Sequence, residues 1–319
     1  MNIFSGLSAF PITPMTPDGQ VITSDLARLV RRIEEGGADS VGLLGSTGTY
    51  MFLSREERRR AVVAAVGSVS SIPVIVGVGA MRTDGAQALA RDAAESGAAG
   101  LLLAPVSYTP LTEQEVYRHF EAVAAATDLP LCIYSNPGTT KFTFSPALVA
   151  RLAEIPTVAA IKLPLPIGDL PADLAAFRTA APGLSVGYSG DWGCKEALLA
   201  GADCWFSVVG GLFPEAAAAL TRAAMAGDRI AADQADATFA GLWALFREHG
   251  SLRLVHEAAR LMGLTDAGLP PPLLGIDDDL RRELTSALPR QTVPLSASGV
   301  RTISPQTGPG FHDPARTGA

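Results

Sequence analysis

Leu131-Cys132-Ile133-Tyr134 and, one helix-length further along, Val158-Ala159-Ala160-Ile161-Lys162 are two short runs of nearly continuous apolar residues. A strand with one face in water alternates apolar and polar residues, so a run without alternation reads as a strand covered on both faces. Working outward, the same kind of run recurs as Gly6 to Ile12, Val41 to Leu44, Val74 to Val78 and Gly100 to Leu103 on one side. On the other side it recurs as Leu184 to Tyr188 and Cys204 to Val209. Amphipathic stretches with readable helix starts lie between them. Ser54 with Glu57 and Thr112 with Glu115 read as capping boxes, and Pro146 follows Ser145 at a first helical position. Leu26, Leu29, Val30 and Ile33 have helical spacing that stops at Gly36-Gly37.

Strand and helix alternate at intervals of roughly 30 residues, which implies parallel strands joined by helical crossovers. Eight such units predict an α/β fold, a (β/α)8 TIM barrel spanning residues 1–226, with Pro214 to Met225 as its last helix. An open doubly wound sheet is the alternative. Its signature is a glycine-rich turn after the first strand, where this chain has Pro14-Met15-Thr16-Pro17-Asp18-Gly19. Ile230 to Phe246, Leu252 to Met262 and Asp277 to Leu288 read as further helices, a C-terminal appendage over residues 227–288. From Pro289 to residue 319, Ser, Thr, Pro and Gly dominate without apolar periodicity, so a flexible tail is expected there.

Composition narrows the partners. A net charge of −7 and only 18% charged residues argue against a nucleic-acid or anionic-membrane surface, which calls for clustered Lys and Arg. The expected partner is a small molecule. Cys132, Cys194 and Cys204 are odd in number and lie mostly in apolar runs, which favours buried thiols over a disulfide framework or a metal cluster. No stretch has the length and apolarity of a membrane span, and Met1 to Thr13 lacks a basic region followed by an apolar one. A soluble, cytoplasmic protein is expected.

In such a barrel the active site lies at the C-terminal ends of the strands. Those ends carry Ser46 and Thr47, Gly79, Pro105, Tyr134, Lys162, Gly190 and Ser207. Lys162 stands out, because the chain has only two other lysines, Lys141 and Lys195, and neither ends an apolar strand. Partial desolvation disfavours an ammonium ion and makes the neutral, nucleophilic amine available, which is what imine formation with a ketone requires. The plain alternative is a lysine paired with a carboxylate or reaching to solvent at the barrel mouth. Tyr134 ends the preceding strand, where its phenol can move protons for that amine or simply pack. Gly45-Ser46-Thr47-Gly48-Thr49 can present backbone N–H groups to an anion, or can be an ordinary turn. Gly210-Gly211 after the eighth strand has the position of a phosphate site, but no basic residue accompanies it.

Taken in order, these motifs resemble the dihydrodipicolinate synthase and N-acetylneuraminate lyase family, from the first strand to about Leu288. The resemblance rests on Gly6 to Thr13 with the Pro-Asp-Gly turn, and on Gly45-Ser46-Thr47-Gly48 followed by Leu53-Ser54-Arg55-Glu56-Glu57. It rests equally on Tyr134-Ser135-Asn136-Pro137-Gly138, Ile161-Lys162 and Ser189-Gly190-Asp191. It implies a Schiff-base lyase in which Lys162 condenses with pyruvate or a related 2-oxo acid. It further implies that the amides of Ser46 and Thr47 hold the carboxylate, that Thr47 and Tyr134 pass protons, and that Gly190 and Phe206 line the pocket. No metal or organic cofactor is implied. A homo-oligomer, tetramer or dimer, is implied, as is a tyrosine supplied to the relay by a neighbouring subunit. Tyr108 lies in the corresponding segment, one residue out of step.

Two departures bear on substrate. Where the synthases carry an arginine after the motif proline, this chain has Thr139, and a hydroxyl suits a neutral or hydroxylated group better than a carboxylate. The acidic positions after the Gly-Ser-Thr-Gly turn and after the lysine are Thr49 and Leu163. The expected reaction is therefore aldol cleavage or dehydration of a 2-oxo acid such as a deoxy sugar acid. Condensation of pyruvate with aspartate semialdehyde is the alternative. The readings from other classes are a non-catalytic 2-oxo-acid-binding protein and a phosphate-cofactor barrel.

Overall fold

The computed structural model describes residues 2–289. Eight parallel strands close into a barrel in sequence order, each hydrogen-bonded to the next and the last to the first. They are β1 Gly6–Ala9, β2 Ser40–Leu43, β3 Val74–Gly77, β4 Gly100–Leu103, β5 Leu131–Tyr134, β6 Val158–Pro164, β7 Ser185–Ser189 and β8 Cys204–Ser207. The helices between and after them are α1 Thr23–Glu35, α2 Arg55–Val66, α3 Thr83–Glu95, α4 Glu113–Ala124, α5 Pro137–Thr140, α6 Pro146–Leu152, α7 Leu170–Ala180, α8 Asp191–Leu199 and α9 Pro214–Met225. Four more, α10 Arg229–Ala237, α11 Ala240–His249, α12 Ser251–Leu261 and α13 Asp278–Ala287, make the C-terminal layer. Barrel and C-terminal helices form one compact unit, and the expected tail lies outside the described residues except for Pro289.

Each strand sorts its side chains by parity. On β5, Leu131 and Ile133 pack outward on the helical shell, and Cys132 and Tyr134 point into the barrel. β6 breaks this alternation. Leu131 pairs with Val158, but Cys132 pairs with Ala160, so Ala159 is an extra residue, a bulge. Val158 and Ile161 both face the shell, while Ala160 faces inward. The bulge thereby turns Lys162 into the barrel, in register beside Tyr134. Strict alternation from Val158 would have pointed it outward. Small residues make room for large ones inside. A Cβ on Gly42 would lie 2.2 Å from the Phe10 ring, and one on Gly187 would lie 2.6 Å from Phe206.

Two sequence expectations need amendment. The helix expected over Ile230 to Phe246 is two helices, because the chain turns at Thr238-Phe239 to bury Phe239 between Phe213 and Trp243. Thr112 and Glu115 form a complete capping box, but Ser54 and Glu57 form half of one. Ser54 accepts from the Glu57 N–H, while the Glu57 carboxylate turns away to the Val21 N–H at 2.6 Å.

Candidate active site

The Lys162 side chain is 4% exposed and reaches the C-terminal mouth of the barrel between aromatic rings. Its Nζ lies 3.8 Å from the ring centre of Phe10, 4.3 Å from that of Tyr134 and 5.6 Å from that of Phe206. Among the described residues no carboxylate pairs with it. A desolvated cation over aromatic faces gains about 2 kcal/mol, so this box accommodates a positive charge on nitrogen without an anion. Phe10, just beyond β1, meets Phe206 edge-on at 6.1 Å and fills the slot left by Gly42 and Gly45. In the sequence Phe10 is one apolar residue among others in the run from Gly6 to Ile12.

Opposite this apolar wall stands a polar cluster. The Tyr134 hydroxyl lies 3.2 Å from Ser46 Oγ, and Asn136 Nδ2 donates to both, at 3.1 Å to Tyr134 and 3.3 Å to Ser46. The hydroxyl brought to Tyr134 is thus that of Ser46, whereas the expected relay partner was Thr47. Thr47 contributes its backbone instead. His256 of α12 is 3% exposed, and its Nε2 lies 3.1 Å from the Thr47 carbonyl, an acceptor only, so Nε2 carries the proton. Burial keeps this imidazole neutral by pulling its pKa down to about 4, against the opposing pull of the Thr47 carbonyl.

The turn so anchored is bent. Leu44 and Thr49 flank it at φ of 56° and 50°, a left-handed conformation that side chains adopt at a cost of about 1–3 kcal/mol and that recurs at functional sites. Among the described residues no acceptor takes the Ser46 and Thr47 N–H groups, so both remain for an anion. Arg58, buried under Tyr50, supports the far side by donating to the Tyr50 and Gly79 carbonyls.

The remaining predicted residues sit further out. Gly190 takes φ of 100° between β7 and α8, with Leu165 against it. Asp191, immediately after it, accepts from Trp205 Nε1 at 2.9 Å and from the Val208 and Val209 N–H groups, tying β7 to the turn that follows Phe206. Burial raises its pKa to about 6. Thr139 is exposed on α5, its hydroxyl donating to the Asn136 carbonyl at 3.3 Å. Tyr108 is 93% exposed in the loop after β4. Asn136 and His256 went unassigned in the sequence, one inside a quoted motif and one as an ordinary helical position.

Comparison with known proteins agrees with this geometry. Residues 3–291 match the model of the dihydrodipicolinate synthetase family. The 4-hydroxy-tetrahydrodipicolinate synthase of Methylococcus capsulatus is 35% identical over 279 residues, covering 86% of this chain and 94% of the relative. That of Alkalilimnicola ehrlichii is 35% identical over 292 residues, covering 90% and 98%. A crystal structure of a dihydrodipicolinate synthase from Agrobacterium tumefaciens superposes with a TM-score of 0.87 at 52% identity, covering 89% of this chain and 97% of that one. A chloride-inhibited synthase from Acinetobacter baumannii, solved with pyruvate, gives 0.82 at 32%, covering 89% and 97%. The chain belongs to the dihydrodipicolinate synthetase family, a family of class I, Schiff-base-forming lyases.

Proposed function

We propose that Lys162 forms the Schiff base in this lyase and that its physiological substrate is a 2-oxo acid whose far end is neutral or hydroxylated, such as a deoxy sugar acid. The observation that carries the imine assignment is the burial of the Lys162 amine among three rings, in register beside Tyr134 and with no counter-ion among the described residues. The amine attacks C2 of the substrate, and two protons pass in turn from nitrogen to the departing oxygen. Ammonium and ketone become iminium and water. Tyr134 carries those protons with Ser46, which takes the role first assigned to Thr47. The Ser46 and Thr47 amides hold the C1 carboxylate, and Phe10, Phe206 and Gly190 shape the space around the imine. The iminium is its own electron sink for breaking a carbon–carbon or carbon–oxygen bond, so this route calls for no cofactor.

Thr139 supports the neutral far end, since it offers a hydroxyl rather than an ionic fork to whatever enters the mouth. The second reading, condensation of pyruvate with aspartate semialdehyde, is favoured by the names of the curated relatives. Borohydride reduction with pyruvate and with longer 2-oxo acids, followed by peptide mapping, tests the assignment: an adduct on Lys162 is expected, and an adduct on Lys141 or Lys195 would overturn it. Turnover of the same acids then separates an enzyme from a binding protein. Faster condensation with aspartate semialdehyde than cleavage of any sugar acid would select the second reading. The three buried, unpaired thiols fit a reducing cytoplasm. A homo-oligomer is also part of this reading.

A further inference from the structure

We propose that Asn136 is a positioning residue that closes the proton relay within one chain, fixing both hydroxyls so that a single hydroxyl proton is left for the substrate. This rests on Lys162 being the imine residue.

Asn136 stands at the N-cap of α5, where an asparagine ordinarily gives its side-chain oxygen to the first helical N–H groups, a bond worth about 1 kcal/mol. It makes no such bond. Its backbone is held by other means, the carbonyl accepting from the N–H groups of Thr139 and Thr140 at 3.0 and 2.9 Å and from both threonine hydroxyls. The side chain is thereby withheld from the cap and delivered to Ser46 and Tyr134.

Counting protons fixes what it does there. The Ser46–Tyr134–Asn136 triangle has three edges, and each needs one hydrogen. With Nδ2 facing the hydroxyls, the amide supplies two and one hydroxyl supplies the third, leaving the other hydroxyl proton for the pocket. With the amide reversed, both hydroxyl protons go to Oδ1 and the Ser46–Tyr134 edge has none. Only the first arrangement makes all three bonds and still donates outward. An amide does not itself carry a proton onward, so Asn136 acts through its neighbours. By donating to the Tyr134 oxygen it stabilises the phenolate that remains each time a proton is released toward the departing oxygen. A relay closed in this way asks nothing of Tyr108, which points into solvent.

The test uses exchange of pyruvate methyl protons in heavy water, which reports imine and enamine formation whatever the physiological substrate is. Asn136→Leu is expected to slow exchange about tenfold, the loss of a hydrogen bond to a developing charge, with the KM for pyruvate changed less than twofold. Asn136→Asp, which accepts both hydroxyl protons at neutral pH, should be slower still, and Tyr108→Phe should stay within twofold of the parent. Melting temperatures identify any variant that is merely misfolded, and Asn136→Asp, with nearly the same volume, provides the second reading in that case. Exchange in both Asn136 variants at the parent rate, a loss in Asn136→Leu carried by KM rather than by the rate, or a Tyr108→Phe loss equal to that of Asn136→Leu would overturn the proposal. Failure of the parent to trap pyruvate on Lys162 would instead overturn the imine assignment beneath it.

Discussion

The two mouths of the barrel use polar side chains in opposite ways. At the N-terminal mouth the carboxylates and the amide end on the chain itself, although the buried hydroxyls of Ser8 and Ser40 have no partner among the described residues. Asp39 accepts from the Leu7 N–H at 2.7 Å, Asp203 from the Val186 N–H at 2.9 Å and from Arg178 at 3.1 Å, and Asn2 donates to Ser185 at 2.7 Å. At the C-terminal mouth, among the described residues, the Lys162 amine meets only rings and two backbone N–H groups are unclaimed. Paired charges hold the strands in place at one end, while donors left open at the other can bind something else. Stability and chemistry are thus separated along one axis, as strand-end geometry in such barrels favours.

The largest effect that can break this separation is at Lys162. Lys162→Met should reduce pyruvate exchange by about four orders of magnitude, more than 5 kcal/mol of transition-state stabilisation. Its melting temperature should hold or rise, because the variant replaces a buried amine lacking an ion partner with an apolar side chain of similar length. A clear fall in melting temperature would show the amine to be part of the frame.

The next effect tests the anchor that α12 sends into the site. The folded-state pKa of His256, about 4, lies below the unfolded value near 6.5, so the unfolded chain takes up the proton first. The resulting stability is present in full above pH 6.5 and is lost as pH falls toward 4, about 3 kcal/mol over that window. Burial lowers the His119 pKa too, adding a contribution of the same sign. Urea midpoints at pH 7 and pH 4.5 should therefore converge in His256→Gln, whose side chain can still donate to Thr47. A variant as acid-sensitive as the parent would remove His256 from the account.

Smaller again is the reciprocal experiment at the other mouth. Asp39→Ala leaves the Leu7 N–H without its acceptor, at a cost of about 2 kcal/mol in denaturant midpoints. Exchange per folded molecule should stay within twofold of the parent, and a tenfold loss would mean that the two ends are coupled.

How much of this was legible depends on whether a residue's role is local. The eight strands were, because a strand covered on both faces writes itself as an apolar run, and Gly100–Leu103 and Leu131–Tyr134 were read to the residue. The prominence of Lys162 was also legible, as a scarce amine at the end of such a run. Its aim was not, since Val-Ala-Ala-Ile shows no alternation from which a bulge at Ala159 can be read, and that bulge decides which way the lysine points. Ser46 and Thr47 are adjacent and chemically alike, and only the bend between Leu44 and Thr49 determines which hydroxyl meets Tyr134. In the sequence Asn136 is one letter of the Tyr-Ser-Asn-Pro-Gly motif and His256 one helical position among others. Their roles depend on partners as far away in sequence as Ser46 and Thr47.

The smallest expected effect sharpens the comparison most, because it alters function at the open mouth without touching the frame. Thr139 is exposed, and its hydroxyl shares the Asn136 carbonyl with Thr140 and two backbone N–H groups, so little is lost when it is replaced. Thr139→Arg should leave the melting temperature within a degree or two, as surface substitutions generally do. It would set a guanidinium on the short helix that begins beside Tyr134, where a carboxylate on the incoming aldehyde could be gripped in two places. Selectivity, taken as the ratio of kcat/KM for an anionic aldehyde to that for a neutral one, should rise about tenfold, the value of one charge-assisted hydrogen bond. The pyruvate half-reaction should not change, since exchange depends on Lys162 and its relay. If the ratio does not move, residue 139 does not face the second substrate, and the preference for a neutral far end must be sought in the aromatic wall of Phe10 and Phe206.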